Sequence, residues 1–404
     1  MLARLKKLGP GLLFAGAAIG VSHLVQSTRA GADFGWGLLW ALLLVNLFKY
    51  PFFQFGPRYA LATGESLLDG YYKLGKIYLW LYFILNIATM FTIQTAVTIV
   101  TAGLASNLFN TSADIIYWSI GVTVTCYIIL LIGRYQLLDK VIKAIVLVLT
   151  ISSVLALMIA TTKGNASLEF TQVFPEGAGL LFVIAFMGWM PAPMDISIWH
   201  SIWVLEKKKD LKNKLSLKEG LFDFNVGYLT TVILGICFVG LGAMVMFDSG
   251  IEFSDKGNEF AGQLIELYTS NLGEAWYGVI AIAALTTMIS TTITTLDASP
   301  RVMSKTIQLL LKQKNKDYYM LLITILALGT CLIFLFLLSE MGLLVQIATV
   351  LSFMTAPFYA ILNYRLITSK HMPIIDRPSE KIKILSILGI IFLAGFTGVY
   401  LLSL

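Results

Sequence analysis

Charged side chains are scarce in this chain of 404 residues: Asp, Glu, Lys and Arg together make up 13%. A soluble globular domain carries about 25%, so the shortage excludes an ordinary water-facing surface. Cysteine is rarer still, with three residues. Cys126, Cys237 and Cys331 each stand alone in an apolar stretch. That excludes a disulfide framework, a thiolate metal site and a dithiol redox pair; packing is their expected role. Histidine also numbers three. Only His23, His200 and Asp195 are placed to act as a base, and no activated nucleophile or metal triad accompanies them. The chain does not read as an enzyme.

Polar stretches long enough for a separate soluble domain are missing too. Hydrophobic residues make up 57% of the chain, and the mean hydropathy is +0.81. A helix crosses a bilayer with about 20 apolar residues. Eleven such stretches recur, at roughly 11–31, 36–56, 77–104, 114–132, 141–161, 178–203, 225–247, 275–296, 318–338, 342–363 and 384–403. The sequence therefore predicts an all-α integral membrane protein, one transmembrane domain with lipid as its first partner.

The basic residues set its orientation. Of 29 Lys and Arg residues, Arg29, Lys163 and Lys256 fall outside and Lys49 within a span, which leaves 25 on the inner side. This asymmetry puts the N-terminus in the cytoplasm and, after eleven spans, the C-terminus outside. The net charge of +6 is thus a topology signal, and nothing points to nucleic acid. The start, Met1-Leu2-Ala3-Arg4-Leu5-Lys6-Lys7, superficially resembles a signal peptide. The apolar run behind it is too long and lacks a clean cleavage site, so it reads as the first span of a multi-pass protein of the plasma or inner membrane. An outside loop at roughly 248–274 carries Asp248, Glu252, Asp255, Glu259, Glu266 and Glu274. It reads as a solvated loop with a short amphipathic helix near Glu259 to Tyr268. The lysines between Lys207 and Lys218 anchor the topology and face anionic lipid.

Two spans break. Met190-Pro191-Ala192-Pro193-Met194-Asp195 puts two prolines in the middle of the sixth span, where neither can continue a regular helix. Unpaired backbone survives in hydrocarbon only where protein buries it or a cavity adjoins it. A carboxylate near the bilayer centre costs roughly 2.5–3.5 kcal/mol on insertion scales, which marks Asp195 as functional. Ala18-Ile19-Gly20-Val21-Ser22-His23 interrupts the first span more gently. Gly20 frees the backbone, and Ser22 is placed to cap a new half-helix. Breaks in spans one and six divide the chain into an inverted repeat of five and five helices, 1–161 and 178–363, with 384–403 as an extra helix. That pattern is the leucine-transporter-type fold, whose broken helices hold the cargo.

Leu8-Gly9-Pro10-Gly11-Leu12-Leu13, Ala30-Gly31-Ala32-Asp33-Phe34-Gly35 and Leu38-Leu39-Trp40 resemble the start of the natural resistance-associated macrophage protein (Nramp) family. Met190-Pro191 is similar to the Met-Pro of its sixth helix, and Ser290-Thr291-Thr292-Ile293-Thr294 to the polar stretch of its eighth. The resemblance covers nearly the whole chain and is most specific in residues 8–70 and 178–203. It implies a secondary active transporter that moves a divalent metal ion by alternating access, with a proton as coupling ion and no resident cofactor. Manganese or iron is the implied cargo; related branches handle magnesium or aluminium.

The departures fall on the site. Where the family has Asp-Pro-Gly-Asn, this chain has Gly20-Val21-Ser22-His23, so the ligating carboxylate is absent and a histidine stands in place of the Asn. Met-Pro-His becomes Met190-Pro191-Ala192. Met190 matches the thioether ligand, and Met187 the residue that offers a backbone carbonyl. The third helix lacks the family's proton-carrying charges between Tyr78 and Leu104, where Gln94 is the most polar side chain near the middle.

The expected substrate-binding residues are Gly20, Ser22, His23, Met187, Met190 and Asp195, with Met190, His23 and Asp195 as metal ligands. Each has a plainer role open to it. Met190 can pack, His23 can be hydrogen-bonded within the bundle, and Asp195 can cap the second half-helix at its positive end. Ser197 and His200 stand second, His200 at the interface beside Trp199. Lys49 is expected to snorkel to the cytoplasmic side. Asp297 and Arg301, four apart, suggest a helix-stabilising pair. Two other functions remain open: the same fold carrying an organic or anionic solute at the dipole ends, and a membrane sensor that binds without transport. A monomer is expected.

Overall fold

The computed structural model describes residues 9–403 apart from 112, 134, 164–169, 211–214, 248–252, 255–256, 314 and 338–340. Fifteen helices and no strand occur among the described residues. Helices lie on all eleven expected stretches. By length and apolar character six qualify as membrane spans outright, and a bent pair makes a seventh. Three shorter apolar helices, at Ile115–Leu131, Val148–Thr162 and Ala178–Trp189, add to these.

The first stretch holds α1 (Pro10–Ala18) and α2 (Ser22–Phe34), which meet at an angle of 51°. Pro10 opens α1, where a missing N–H is harmless. The Asp223 carboxylate accepts from the N–H groups of Gly9 (3.0 Å) and Gly11 (2.7 Å). A side chain from a distant helix thereby caps α1 and complements its positive end. The helix stops at Ile19, and α2 begins as a π-helical turn over Ser22–Ser27.

Next come α3 (Leu39–Thr63), which runs on through Pro51 and Pro57, and the short α4 (Leu67–Leu74). Then follow α5 (Lys76–Leu108), α6 (Ile115–Leu131) and α7 (Tyr135–Lys163). The sixth stretch holds α8 (Ala178–Trp189) and α9 (Ile196–Asp210), with Met190 extended between them. The rest is α10 (Leu217–Val245), α11 (Gly257–Leu272), α12 (Tyr277–Leu311), α13 (Tyr319–Phe336), α14 (Met341–Thr368) and α15 (Glu380–Ser403).

Close backbone contact fixes the two broken spans. A Cβ built on Gly11 would lie 2.0 Å from the Asp223 carbonyl, one on Gly31 2.0 Å from that of Val239, and one on Gly242 2.2 Å from that of Thr28. Glycine therefore lets α10 run against both halves of the first span, the small-residue packing that membranes favour. At the second break a Cβ on Gly188 would meet the Thr349 carbonyl of α14 at 2.1 Å. Helices α1, α2, α3, α8, α9 and α10 so surround both breaks, and α5 with α12 forms the facing wall.

Large apolar side chains such as Leu47, Ile84, Leu229, Leu328 and Ile391 stand exposed on the outer surface. In water such a belt would be a liability; against lipid it is the expected solvent face. The helix expected near Glu259 is present as α11, which buries Leu264, Ile265 and Tyr268. Asp248, Glu252 and Asp255 of the same loop, Lys212 and Lys214 of the lysine loop, and residues 1–8 lie outside the described residues. Arg301 pairs with Asp297 at 2.7 Å, as their spacing suggests, and Tyr319 donates to the same carboxylate at 2.6 Å.

Candidate functional site

The two breaks face each other across a small cavity of about 20 Å³. That is room for one water or one bare ion. Its polar lining comes from Ser22, Thr291 and Thr295; Ile93, Val97 and Trp189 close the apolar sides. Gly20 also borders it, where a Cβ would come within 3.0 Å of the Thr291 side chain. Thr291 donates toward the carbonyls of Gly16 (3.3 Å) and Ile19 (3.5 Å), so α12 holds the carbonyls freed at the first break. Ser22 reaches the other break, its hydroxyl 3.4 Å from the Pro191 carbonyl. A larger cleft of about 680 Å³ opens elsewhere, beside Asp69, Lys208, Arg301 and Lys305.

His23 is fully buried on α2, but it faces away from this cavity. Its Nε2 lies 2.9 Å from the Thr231 carbonyl of α10. A carbonyl only accepts, so that nitrogen carries a hydrogen. Nδ1 lies 2.7 Å from the Ser22 hydroxyl and 3.1 Å from the Ala18 carbonyl. The ring thus ties the first break to α10 with both nitrogens engaged. Met190 also turns toward α10: its thioether sulfur would lie 3.4 Å from a Cβ on Gly235.

Asp195 points to a different place. It is 4% exposed, and neither carboxylate oxygen has a hydrogen-bond partner of normal geometry. The backbone N–H groups of Asp195 and Ile196, at the start of α9, are close by. The phenols of Tyr82 on α5 and Tyr359 on α14 lie within electrostatic reach of the carboxylate. The two rings stand 6.1 Å apart, and both hydroxyls are buried without partners. Asn86, one turn beyond Tyr82, is fully buried with both amide atoms unpaired. Below them the Tyr71 hydroxyl donates to Asn363, whose amide donates to Ser197 at 3.1 Å. Buried polar atoms left unpaired cost about 1–3 kcal/mol each. Asp195, Tyr82, Asn86 and Tyr359 all carry such atoms, a set whose chemistry suits water or a cation.

The expected metal ligands therefore do not converge. Met190 and His23 lie against neighbouring turns of α10, whereas Asp195 lies within electrostatic reach of tyrosines on α5 and α14. Among the described residues no group of three His, Cys, Asp or Glu side chains is close enough to hold a metal. The Met187 carbonyl, expected to serve the cargo, accepts from the Lys49 ammonium at 2.7 Å.

Two side chains depart from expectation. Lys49 does not snorkel to the cytoplasmic side; it is fully buried and donates to the carbonyls of Met187, Gly188 and Ala192. The ends of α8 offer it acceptors that the interface would supply only as water. His200 is not interfacial. It is 1% exposed, 5.6 Å from the Phe14 ring and 5.7 Å from that of Phe224, where aromatic packing of α1 and α10 encloses it. Gln94 instead bonds across to α12, accepting from Thr295 at 2.7 Å.

Tyr82, Asn86, Tyr359 and Asn363 escape notice in the sequence reading. A signal was present: Tyr82-Phe83-Ile84-Leu85-Asn86 and Tyr359-Ala360-Ile361-Leu362-Asn363 share Tyr-x-Ile-Leu-Asn. The spacing puts each Tyr and Asn on one helix face.

Two broken helices facing each other in an all-helical, lipid-exposed bundle define a secondary membrane transporter of the leucine-transporter type. A variant of the Eremococcus coleocola manganese transporter has the same fold, with a TM-score of 0.74 at 15% identity over 96% of this chain and 84% of that one. The family described as natural resistance-associated macrophage protein-like matches residues 11–403. The chain belongs to that family. An uncharacterized protein of Pasteurella multocida is 37% identical over 98% of this chain and 91% of its own length. The divalent metal cation transporter MntH of Staphylococcus saprophyticus is 24% identical over 81% of this chain and 75% of its own length.

Proposed function

We propose that the protein carries a divalent metal ion of the manganese or iron kind by alternating access, with Asp195 as the carboxylate that balances the cargo's charge. The observation that carries this reading is the buried, unpartnered carboxylate at the sixth-span break. Family membership and the likeness to the divalent metal cation transporter of Staphylococcus saprophyticus support it. A dication in low dielectric needs a close anion, and Asp195 is the carboxylate at either break. Tyr82 and Tyr359 add hard oxygen donors. Met190 joins the cargo by leaving α10, easily because its side chain has three free torsions, while His23 stays bonded to α10. The same carboxylate disfavours an anionic solute.

The rest of the reading follows the sequence. Eleven spans divide into 1–161, 178–363 and an extra helix at 384–403. The N-terminus is cytoplasmic and the C-terminus outside, in the cell membrane, and the transporter works as a monomer with a coupling proton.

The test is manganese uptake into proteoliposomes that enclose a metal-quenched fluorophore. Saturable quenching by the wild type, lost in Asp195→Asn, is expected. Equal uptake by the variant would reduce Asp195 to a helix cap. Absence of uptake by folded wild type, with saturable manganese binding retained, would turn the reading to a sensor.

A further inference from the structure

Lys49 has a feature that neither packing nor topology accounts for. A lysine with 0% exposure sits in the middle of α3, and among the described residues no carboxylate lies within ion-pair distance of it. Lysine is almost never fully buried unless paired. Here its partners are backbone oxygens: Met187 at 2.7 Å, Gly188 at 2.8 Å and Ala192 at 3.4 Å. An ammonium has three N–H donors, and each meets one carbonyl.

These carbonyls are the groups that the break sets free. The last turn of a helix leaves its C=O groups without intrahelical donors. Met187 and Gly188 belong to the last turn of α8, and Ala192 lies between the two prolines. Together they form a small oxygen nest at the negative end of a helix dipole. Discontinuous membrane helices use such freed carbonyls and C-terminal ends to coordinate coupling cations. In this chain the nest is filled from within.

We propose that Lys49 is a tethered cation that takes the place of a free monovalent ion at the broken sixth span, holding α8 to α3 without any bound sodium or potassium. Removal of the ammonium leaves an oxygen-lined vacancy that admits a small monovalent cation or a short alkylammonium. The inference holds whatever cargo the protein carries.

Thermal unfolding of the full chain in lipid nanodiscs tests it, with choline, sodium, potassium and ethylammonium chlorides compared at equal ionic strength. The wild-type midpoint is expected to be the same in all four. Lys49→Ala is expected to unfold several degrees lower in choline and to recover saturably with ethylammonium. A folded Lys49→Ala that no cation stabilises would overturn the proposal, as would a wild type that sodium or potassium stabilises. Should Lys49→Ala fail to fold, Lys49→Arg and Lys49→Gln decide. Arginine keeps the charge and is expected to retain most of the midpoint, whereas neutral glutamine loses it. Glutamine as stable as wild type would show that hydrogen bonding alone suffices and sink the tethered-cation reading. The readout is unfolding, so failure here is distinct from failure of metal transport.

Discussion

The two broken helices solve the same problem with opposite chemistry. Each must satisfy backbone groups in the middle of a membrane, where an unpaired one costs several kcal/mol. The first break does so with neutral groups: the Thr291 hydroxyl approaches the carbonyls of Gly16 and Ile19, Ser22 donates to that of Ala18, and His23 Nε2 donates to that of Thr231. Ser22, His23 and Thr291 are all engaged there. The second break uses charge. Lys49 sits at the carbonyl end of α8 and Asp195 at the N–H end of α9, so each ion faces the half-helix dipole of opposite sign. Of these two ions Lys49 is fully hydrogen-bonded, whereas the Asp195 carboxylate has no hydrogen-bond partner. A fully satisfied break is a joint; a break with a bare carboxylate is a site. On the proposed reading, recognition of the cargo falls to the sixth span, with the first as its support.

Asp195→Asn should have the largest effect on that contrast. It keeps the volume and the capping oxygen while removing the charge. A loss of about 3 kcal/mol in cation affinity, roughly 100-fold, is expected. Isothermal titration with manganese in detergent reads it directly. An affinity within a few-fold of wild type would mean that the two breaks share the charge work in a way the geometry does not suggest.

His23→Ala probes the other side. The Thr231 carbonyl would lose the imidazole donor and a cavity would replace the buried ring, while the Ala18 carbonyl keeps Ser22 at 2.7 Å and Gly20 at 3.0 Å, so the melting temperature should fall clearly. Manganese affinity of the folded variant should stay near wild type. The opposite result, intact stability with lost affinity, would make the first break a ligand site and dissolve the distinction.

Much of this was legible in the sequence, for physical reasons that differ from residue to residue. Proline lacks an N–H, so Pro191 and Pro193 announce the second break without any structure. Asp195 stands out because charge is costly in hydrocarbon. Gly20 signals the first break less clearly, since glycine also serves close packing, as Gly31 and Gly188 do here. In the sequence Lys49 stands about two turns from the inner end of its apolar stretch, where a lysine can reach water; only the position of α8 shows that it reaches carbonyls instead. His200 was misread because its partners, Phe14 and Phe224, come from distant segments. Tyr82 and Tyr359 are nearly 280 positions apart, and helix periodicity cannot show that they meet. The direction in which His23 and Met190 turn is likewise a tertiary fact, fixed by the approach of α10.

Tyr82→Phe sharpens the reading of the unpartnered polar groups near Asp195. The phenol is buried without a partner, so its removal should cost little stability and even relieve an unpaired hydroxyl. As a cargo or water contact it should matter by about 0.5–1.5 kcal/mol, roughly 2- to 10-fold in affinity. Parallel titrations of Tyr82→Phe and Tyr359→Phe would show which phenol faces the ion. No change in either would confine the cargo to the small cavity between the breaks.

Met190→Leu is the finest discriminator, because the two side chains are nearly isosteric. Such swaps in a packed core usually cost less than about 1.5 kcal/mol, so folding should survive. What changes is the sulfur. If Met190 leaves Gly235 to meet the cargo, cadmium should lose several-fold more affinity than manganese, and magnesium should change least, following the preference of thioether for soft ions. Equal shifts for all three ions would keep Met190 in the core beside α10. The sixth break would then recognise its cargo through oxygen alone, and the cargo would be a hard dication.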